Sequence, residues 1–220
     1  MTQRNHSPQV GKEQTLTRGH KKKARTRQGL VDAALRIYAE KGIGELHLNG
    51  LAEEAQVSNG TVYNYFRSRE EVLDAVGVEL ASQLSLKISA VSHSIDSGAQ
   101  RLSIGVRMFI EQTRQDPVWA SAVVCVYQHD QNIRSAVVDA LRSDLQLGIQ
   151  QGHFHVTDED ISMRMVTAST MGVMTAILAG CQTAQVDSIV AESVLLSLGM
   201  ARGAARRVAY LPLPQPSGDA

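Results

Sequence analysis

GELHLNGLAEEAQVSNGTVYNYFRSRE, residues 44–70, reads as two short helices about a tight turn. The first runs from about Leu48 to Ala55, with Leu48, Leu51, Ala52 and Ala55 on one apolar stripe at helical spacing. Gln56-Val57-Ser58 makes the turn. Ser58 suits an N-cap, because its hydroxyl can accept from a free backbone N–H of the next helix. That helix, Asn59 to Phe66, turns Val62 and Phe66 inward at i, i+4. Its outer face carries Asn59, Gly60, Thr61, Asn64 and Tyr65. A solvated helix would show Glu and Lys there, and an early Gly costs about 1 kcal/mol against Ala. Small and amide side chains at a helix start instead suit approach to base edges and phosphates in a major groove. Helix-turn-helix units dock this way, second helix in the groove. Taken alone, the same pattern equally describes an αα-hairpin with no partner.

The neighbouring residues favour nucleic acid. Residues 18–27, RGHKKKARTR, hold six Lys/Arg and no acid, and Arg67 and Arg69 follow the second helix. Basic arm, groove-sized helix and basic exit form one electrostatic footprint. The net charge of zero hides an asymmetry. Residues 1–70 carry 12 Lys/Arg against 7 Asp/Glu; residues 71–220 carry 10 against 15. Only the first third favours a polyanion, and the acidic remainder orients the molecule away from it.

The stretch Val57 to Phe66, followed by Arg67-Ser68-Arg69-Glu70-Glu71-Val72-Leu73, resembles the turn and recognition helix of the TetR/AcrR family of transcriptional regulators. The resemblance covers residues 26–75; the rest matches that family in length and helical pattern. It departs where the family usually has Gly and this chain has Gln56, a turn position tending to positive φ. It departs again at Leu46-His47, in place of a Thr, and at Gly50, in place of a polar residue. The resemblance implies an operator of double-stranded DNA. Asn59, Gly60, Thr61 and Asn64 would face bases, while His47, Tyr63, Tyr65 and Arg69 would meet phosphates. Asn49 or His47 would start the first motif helix near the backbone, and Lys22, Lys23 and Arg25 would run along it. Tyr63, flanked by Val62, is alternatively a core residue.

The remaining chain reads as all-α. Residues 1–20 lack periodicity and are expected to form an irregular, basic-ended arm. A helix over 26–41 places Leu30, Ala34, Ile37 and Tyr38 inward, with Gly42 as its C′ residue. It completes a three-helix helix-turn-helix domain over 21–68. A long helix from Arg69 carries Val72, Leu73, Val76, Leu80, Leu84, Ile88 and Val91 as one stripe and joins that domain to a helical ligand-binding and dimerisation domain over 69–208. Further helices follow over 99–115, from Pro117, over 132–150, over 158–182 and over 188–206. A Pro-rich tail occupies 209–220.

On the helix over 158–182, Ala168, Gly172, Ala176 and Gly180 form a small-residue stripe that lets another helix approach. Val190, Val194, Leu198 and Ala201 suit the same role on the last helix. Two such helices per chain would make a four-helix bundle across a two-fold axis, as the resemblance implies for a homodimer. The resemblance also implies an effector, small and apolar or amphipathic. Met108, Phe109, Trp119, Tyr127, Met171 and Met174 are its candidate lining, each equally readable as core.

Other chemistry is not written here. Cys125 and Cys181 stand far apart in apolar stretches, reading as buried reduced thiols. His129, His153 and His155 lack ligand spacing, so no metal and no cofactor is expected. No nucleophile elbow, phosphate loop or HExxH occurs, so no enzyme is expected. The uncharged run 165–186 carries Thr, Ser, Gly and Gln, reading as a buried helix rather than a membrane span. Met1–Lys23 is polar throughout, and a cytoplasmic regulator is expected. The reading is a homodimeric regulator, a repressor released by its effector. The alternatives are a helix-turn-helix protein without an effector, architectural or partner-recruiting, and a helical ligand-binding protein with a vestigial motif.

Overall fold

The computed structural model describes residues 18–129 and 136–214. Among the described residues all regular structure is helical. Helix α1 (Arg18–Lys41) begins well before the apolar periodicity does. The irregular arm expected through residue 20 is thus corrected for 18–20, while 1–17 lie outside the described residues. Lys, Arg and Gln are good helix formers, so the basic stretch extends α1 without any apolar stripe. Gly42 ends α1 at φ 82. A 3-10 turn (Ile43–Glu45) leads to α2 (Leu48–Glu54) and α3 (Asn59–Tyr63). Leu30, Ala34, Ile37, Leu51, Val62 and Phe66 close one core, to which α4 (Arg69–Ser92) adds Val72, Leu73 and Val76. Ser68 starts α4 by accepting from the Glu71 amide at 3.4 Å. Glu71 answers by accepting from the Arg67 amide at 2.7 Å, a reciprocal cap.

The far half of α4 belongs to a second core. Its Ala81, Leu84 and Ile88 pack with α5 (Gly98–Gln115), α6 (Pro117–His129) and Met171 and Met174 of α8 (Glu159–Leu178). A third core joins α5, α7 (Ala136–Gln150), α8, α9 (Val186–Ser197) and α10 (Arg202–Ala209). Asp158 caps α8, accepting from the Ile161 amide at 2.8 Å. The expected start of α7 at 132 lies outside the described residues.

Three expectations change in this half. The helix over 158–182 stops at Leu178, and Gly180 sits beyond it at φ 98. The single last helix is broken in two: Gly199 takes φ 85 with the His155 carbonyl 2.8 Å from where its Cβ would be, so no other residue fits that turn. Cys181 is exposed rather than buried, because it follows the end of α8. Neither cysteine forms a disulfide.

Two contacts fix how the helices sit. Buried Arg107 of α5 donates from Nε to Asp187 of α9 at 2.8 Å and from its other end to the Leu211 carbonyl, tying the C-terminal segment down. Burial works against the Asp187 carboxylate, yet the Arg107 hydrogen bond holds its pKa below the ordinary value. At the start of α5, a Cβ on Gly98 would lie 2.4 Å from the Gly148 nitrogen and 2.6 Å from the Asp144 carbonyl of α7. The two backbones therefore touch. Gly98→Ala is expected to destabilise the protein by about 1–3 kcal/mol through overpacking. Gly29→Ala, where a Cβ meets nothing, should be neutral or stabilising by up to about 1 kcal/mol. Urea unfolding of both variants checks this.

Candidate nucleic-acid interface and inner cavity

The turn before α3 is built as its residues require. Gln56 adopts φ 53, the left-handed conformation at the position where the sequence lacks Gly. Ser58 caps α3: its hydroxyl accepts from the Thr61 amide at 3.2 Å and lies 2.9 Å from the Thr61 hydroxyl. The helix is shorter than expected, ending at Tyr63, with Asn64 as its C-cap. Tyr65 and Phe66 therefore follow it in a turn, and Phe66 still reaches the core.

Ser58, Asn59, Gly60, Tyr63 and Asn64 are exposed together, and Thr61 is half-exposed beside them. Tyr63, at 52% exposure, is no core residue. His47 is the exposed N-cap of α2, extended at φ −126, and Asn49 is exposed next to it. Lys22, Lys23 and Arg25 are exposed along α1. Two candidates are partly committed inward. Tyr65 packs against the first core, and Arg69 donates from Nε to the Leu46 carbonyl at 2.8 Å. Arg69 thus ties the start of α4 to the loop before α2, a role its position after the motif did not announce. Arg27, outside the expected set, lies over the Phe66 ring at 5.3 Å.

The far domain forms a partly open cavity of about 80 Å3 between α4, α5, α7 and α8. Of the six candidate lining residues, Phe109 and Met171 reach it. Met108 of α5, Trp119 of α6 and Met174 of α8 instead pack in the neighbouring core with the far half of α4. Tyr127 is exposed. The cavity's polar lining was missed: Ser85, Asp144, Thr167 and Thr170. Asp144 had a signal, being an acid on the same helix face as Leu141 and Gly148. Burial pushes its carboxyl up to about 6, against the pull of Arg101, whose guanidinium stands 3.9 Å away.

A chain of contacts leads from the cavity to α1. The Phe109 ring packs against Trp119, centroids 5.8 Å apart. Trp119 stands in the first turn of α6, where its amide donates to Asp116 at 2.9 Å. Tyr38 of α1 packs into the same core. Burial and then the Asp116 charge push its hydroxyl well above the usual range. Further along α6, burial and then Asp74 of α4 raise the Cys125 thiol.

The expected dimer residues divide. On α8, Ala168, Gly172 and Ala176 are exposed, as is Gly180 beyond its end. Ile161 and Met165, at 56% and 49% exposure, extend that face. On the last helix, Val190, Val194 and Leu198 are buried in the chain's own third core and so are corrected. Ala201 is exposed between α9 and α10, and Ile189 is the exposed apolar residue of α9. Helix α8 is long and apolar enough to cross a membrane by length and composition alone. Its inner face, however, lines the cavity and packs into two cores. Among the described residues no cluster of three or more His, Cys, Asp or Glu could hold a metal.

Comparison with known proteins agrees with this architecture. Residues 30–76 match the model for bacterial regulatory proteins of the tetR family, and residues 97–210 match that for the Tetracyclin repressor-like C-terminal domain. The HTH-type transcriptional regulator LuxR of Vibrio harveyi is 34% identical over 96 residues, 42% of this chain and 45% of LuxR. BetI of Rhizobium meliloti is 28% identical over 130 residues, 56% of this chain and 64% of BetI. The matched stretch is thus less than two thirds of either relative. RolR, solved with resorcinol, superposes with a TM-score of 0.75 at 25% identity, covering 89% of this chain and 98% of RolR. FadR of Bacillus subtilis, solved with stearoyl-CoA, shares the fold, with a TM-score of 0.55 at 20% identity over 78% of this chain and 96% of FadR.

The exposed α3 residues can be tested apart from stability. Tyr63→Ala should shift unfolding by no more than about 0.5 kcal/mol while weakening operator binding. Lys23→Ala should lower the salt slope by about one unit across all sequences. Fluorescence anisotropy over a salt series, beside thermal unfolding, reads both.

Proposed function

The chain belongs to the TetR family of bacterial regulatory proteins, and we propose that it is a homodimeric, cytoplasmic DNA-binding regulator released from its operator by a small effector. The observation that carries this reading is the pairing of an uncharged, exposed α3 face with an inner cavity, linked through α4 and α6. Asn59, Gly60, Thr61 and Asn64 read base edges. Lys22, Lys23, Arg25, His47, Asn49, Ser58 and Tyr63 stand to meet the phosphate backbone. Arg69 holds the loop before α2 through the Leu46 carbonyl and stands at the basic exit of the motif, beside the phosphate backbone.

The α8 face supports pairing of two copies. Exposed Ile161, Met165, Ala168, Gly172 and Ala176 form an apolar and small strip that none of the described residues covers, and Ile189 of α9 is exposed as well. Pairing there would set the two α3 helices against half-sites about 34 Å apart.

Release needs differential affinity. A tenfold loss of operator binding takes about 1.4 kcal/mol, so the effector must prefer the conformation whose recognition helices no longer match the half-sites. Pressure on Phe109 would pass through Trp119 to α6, which bears on Tyr38 of α1 and on the first turns of α4. That RolR, of like fold and 25% identity, was solved with resorcinol supports a small-molecule effector for this chain.

The deciding experiment is binding of the purified protein to its own upstream DNA against a scrambled duplex over a salt series. Selective binding with a steep salt slope is expected; equal binding to both duplexes at every salt overturns the operator reading. Gly172→Arg tests the pairing, since a Cβ there meets nothing within 4 Å of the chain itself. Sedimentation should show monomers with an unchanged unfolding temperature and greatly weakened operator binding. A variant that remains dimeric places the interface elsewhere.

A further inference from the structure

The polar side of the cavity has an unusual composition. Thr167 and Thr170 spend their hydroxyl hydrogens on the Met163 and Val166 carbonyls, each at 2.9 Å. They therefore present only lone pairs inward. Asp144 is the one ionisable residue of the lining, and an ionised carboxylate only accepts. Its nearby cation is Arg101 of α5, at 3.9 Å. Arg101 is itself held by backbone, donating from Nε to the Ile95 carbonyl at 2.6 Å and from Nη2 to the His93 carbonyl at 3.2 Å. The carboxylate is thus poorly compensated, and its raised pKa is the electrostatic trace of that deficit. The walls facing it from α4 and α8 bring hydroxyls and apolar groups and no further charge.

Asp144, Thr167 and Thr170 only accept, and Ser85 alone of the polar lining can also donate, so the polar side calls for a donor. A neutral donor meets this need without a second positive charge beside the Arg101 guanidinium, which stands 3.9 Å from the carboxylate. The rest of the wall is Phe109, Met171, Leu141 and Ile88, a surface suited to a flat ring. Size sets the upper limit. A dry cavity that holds benzene measures about 150 Å3, against about 80 Å3 here, so a single ring enters only if the wall gives way. The unbranched Met171 and the Phe109 ring are the parts able to do so. Phe109 is also the cavity residue that touches Trp119.

We propose that the effector is an uncharged monocyclic compound bearing hydroxyl groups, of the phenol or dihydroxybenzene class, selected by Asp144, which accepts its hydroxyl hydrogen. This rests on the reading of the cavity as the effector site and adds the chemistry of what enters it. Asp144 is the specificity-determining residue, the Thr167 and Thr170 oxygens are secondary acceptors, and entry of the ring displaces Phe109 against α6.

Calorimetry on the full chain tests this, with phenol, resorcinol, toluene and benzylamine as probes, on the wild type and on Asp144→Asn and Asp144→Leu. The wild type should bind resorcinol and phenol at least tenfold more tightly than toluene. Asp144→Leu should reverse that order, toluene binding better than phenol, which shows that the variant is folded and its cavity open. Affinity of the wild type for resorcinol should fall as the pH drops through 6, where Asp144 takes up its proton, and Asp144→Asn should lose that dependence. Equal binding of toluene and phenol by the wild type, a preference for benzylamine, an unchanged preference in Asp144→Leu, or no binding of any ring each overturns the assignment. Operator binding by the same preparations separates the outcomes. Selective DNA binding without ring binding removes the effector class and leaves the regulator standing; its absence removes the regulator reading.

Discussion

A single helix cannot belong to two cores without coupling them. Helix α4 places Val72, Leu73 and Val76 in the core of the helix-turn-helix domain and Ala81, Leu84 and Ile88 in a core of the C-terminal helical domain. Interiors are close-packed and repack in discrete steps rather than by smooth deformation. Any change at the far end of α4 is therefore felt at its first turn. There Ser68, Glu71 and Arg69 hold the exit of α3 and the loop before α2. The pose of α3 depends on this rod more than on any contact α3 makes itself, since only Val62 of its five residues is buried.

Helix α6 is the second strut. Asp116 and Pro117 start it, and Pro at the first helical position costs no hydrogen bond. Its first turn meets Tyr38 of α1, and its later turns lie near Asp74 of α4. With Phe109 of the cavity wall against Trp119, the cavity and the DNA-facing domain share one continuous packed path. Two struts meeting the same small domain at different points would turn a modest displacement into a rotation, which is the change that mismatches a pair of half-sites.

The parts legible in the sequence were those fixed by local chemistry. Ser58 as a cap, Val62 and Phe66 at i, i+4, the strained turn at Gln56 and the stripe of α4 are set by neighbours a few residues away. What was misread depended on distant packing. Val190, Val194 and Leu198 form a genuine apolar stripe, but periodicity alone does not say whether a stripe meets the chain's own core or a second copy. The break at Gly199 is set by the approach of His155, more than forty residues earlier. Trp119, Met108 and Met174 were reasonable cavity candidates by residue type, yet the way α5, α6 and α8 are turned gave them to the neighbouring core. The basic start of α1 carried no stripe to mark it. Asp144 stood out only once α7 was seen to face α5 and α8.

The same geometry bounds how strong the switch must be. Helix α8 carries Thr167, Thr170 and Met171 on the cavity side and Ala168 and Gly172 on the outward side, within one turn and a half. With two copies paired on the outward face as proposed, a ligand pressing on the cavity face would move both, and the angle between the copies would follow the contents of the cavity. The energy needed is small. A hydrogen bond to a charged acceptor contributes about 1.5–3 kcal/mol, and about 1.4 kcal/mol of difference between two conformations changes operator affinity tenfold. On the proposed reading, one hydroxyl bonded to Asp144 in one conformation and not in the other would be enough to change operator affinity tenfold. No rearrangement of α3 itself is required. A cavity smaller than the proposed ligand, walled by α4 and joined to α6 through Phe109 and Trp119, would convert that single bond into motion.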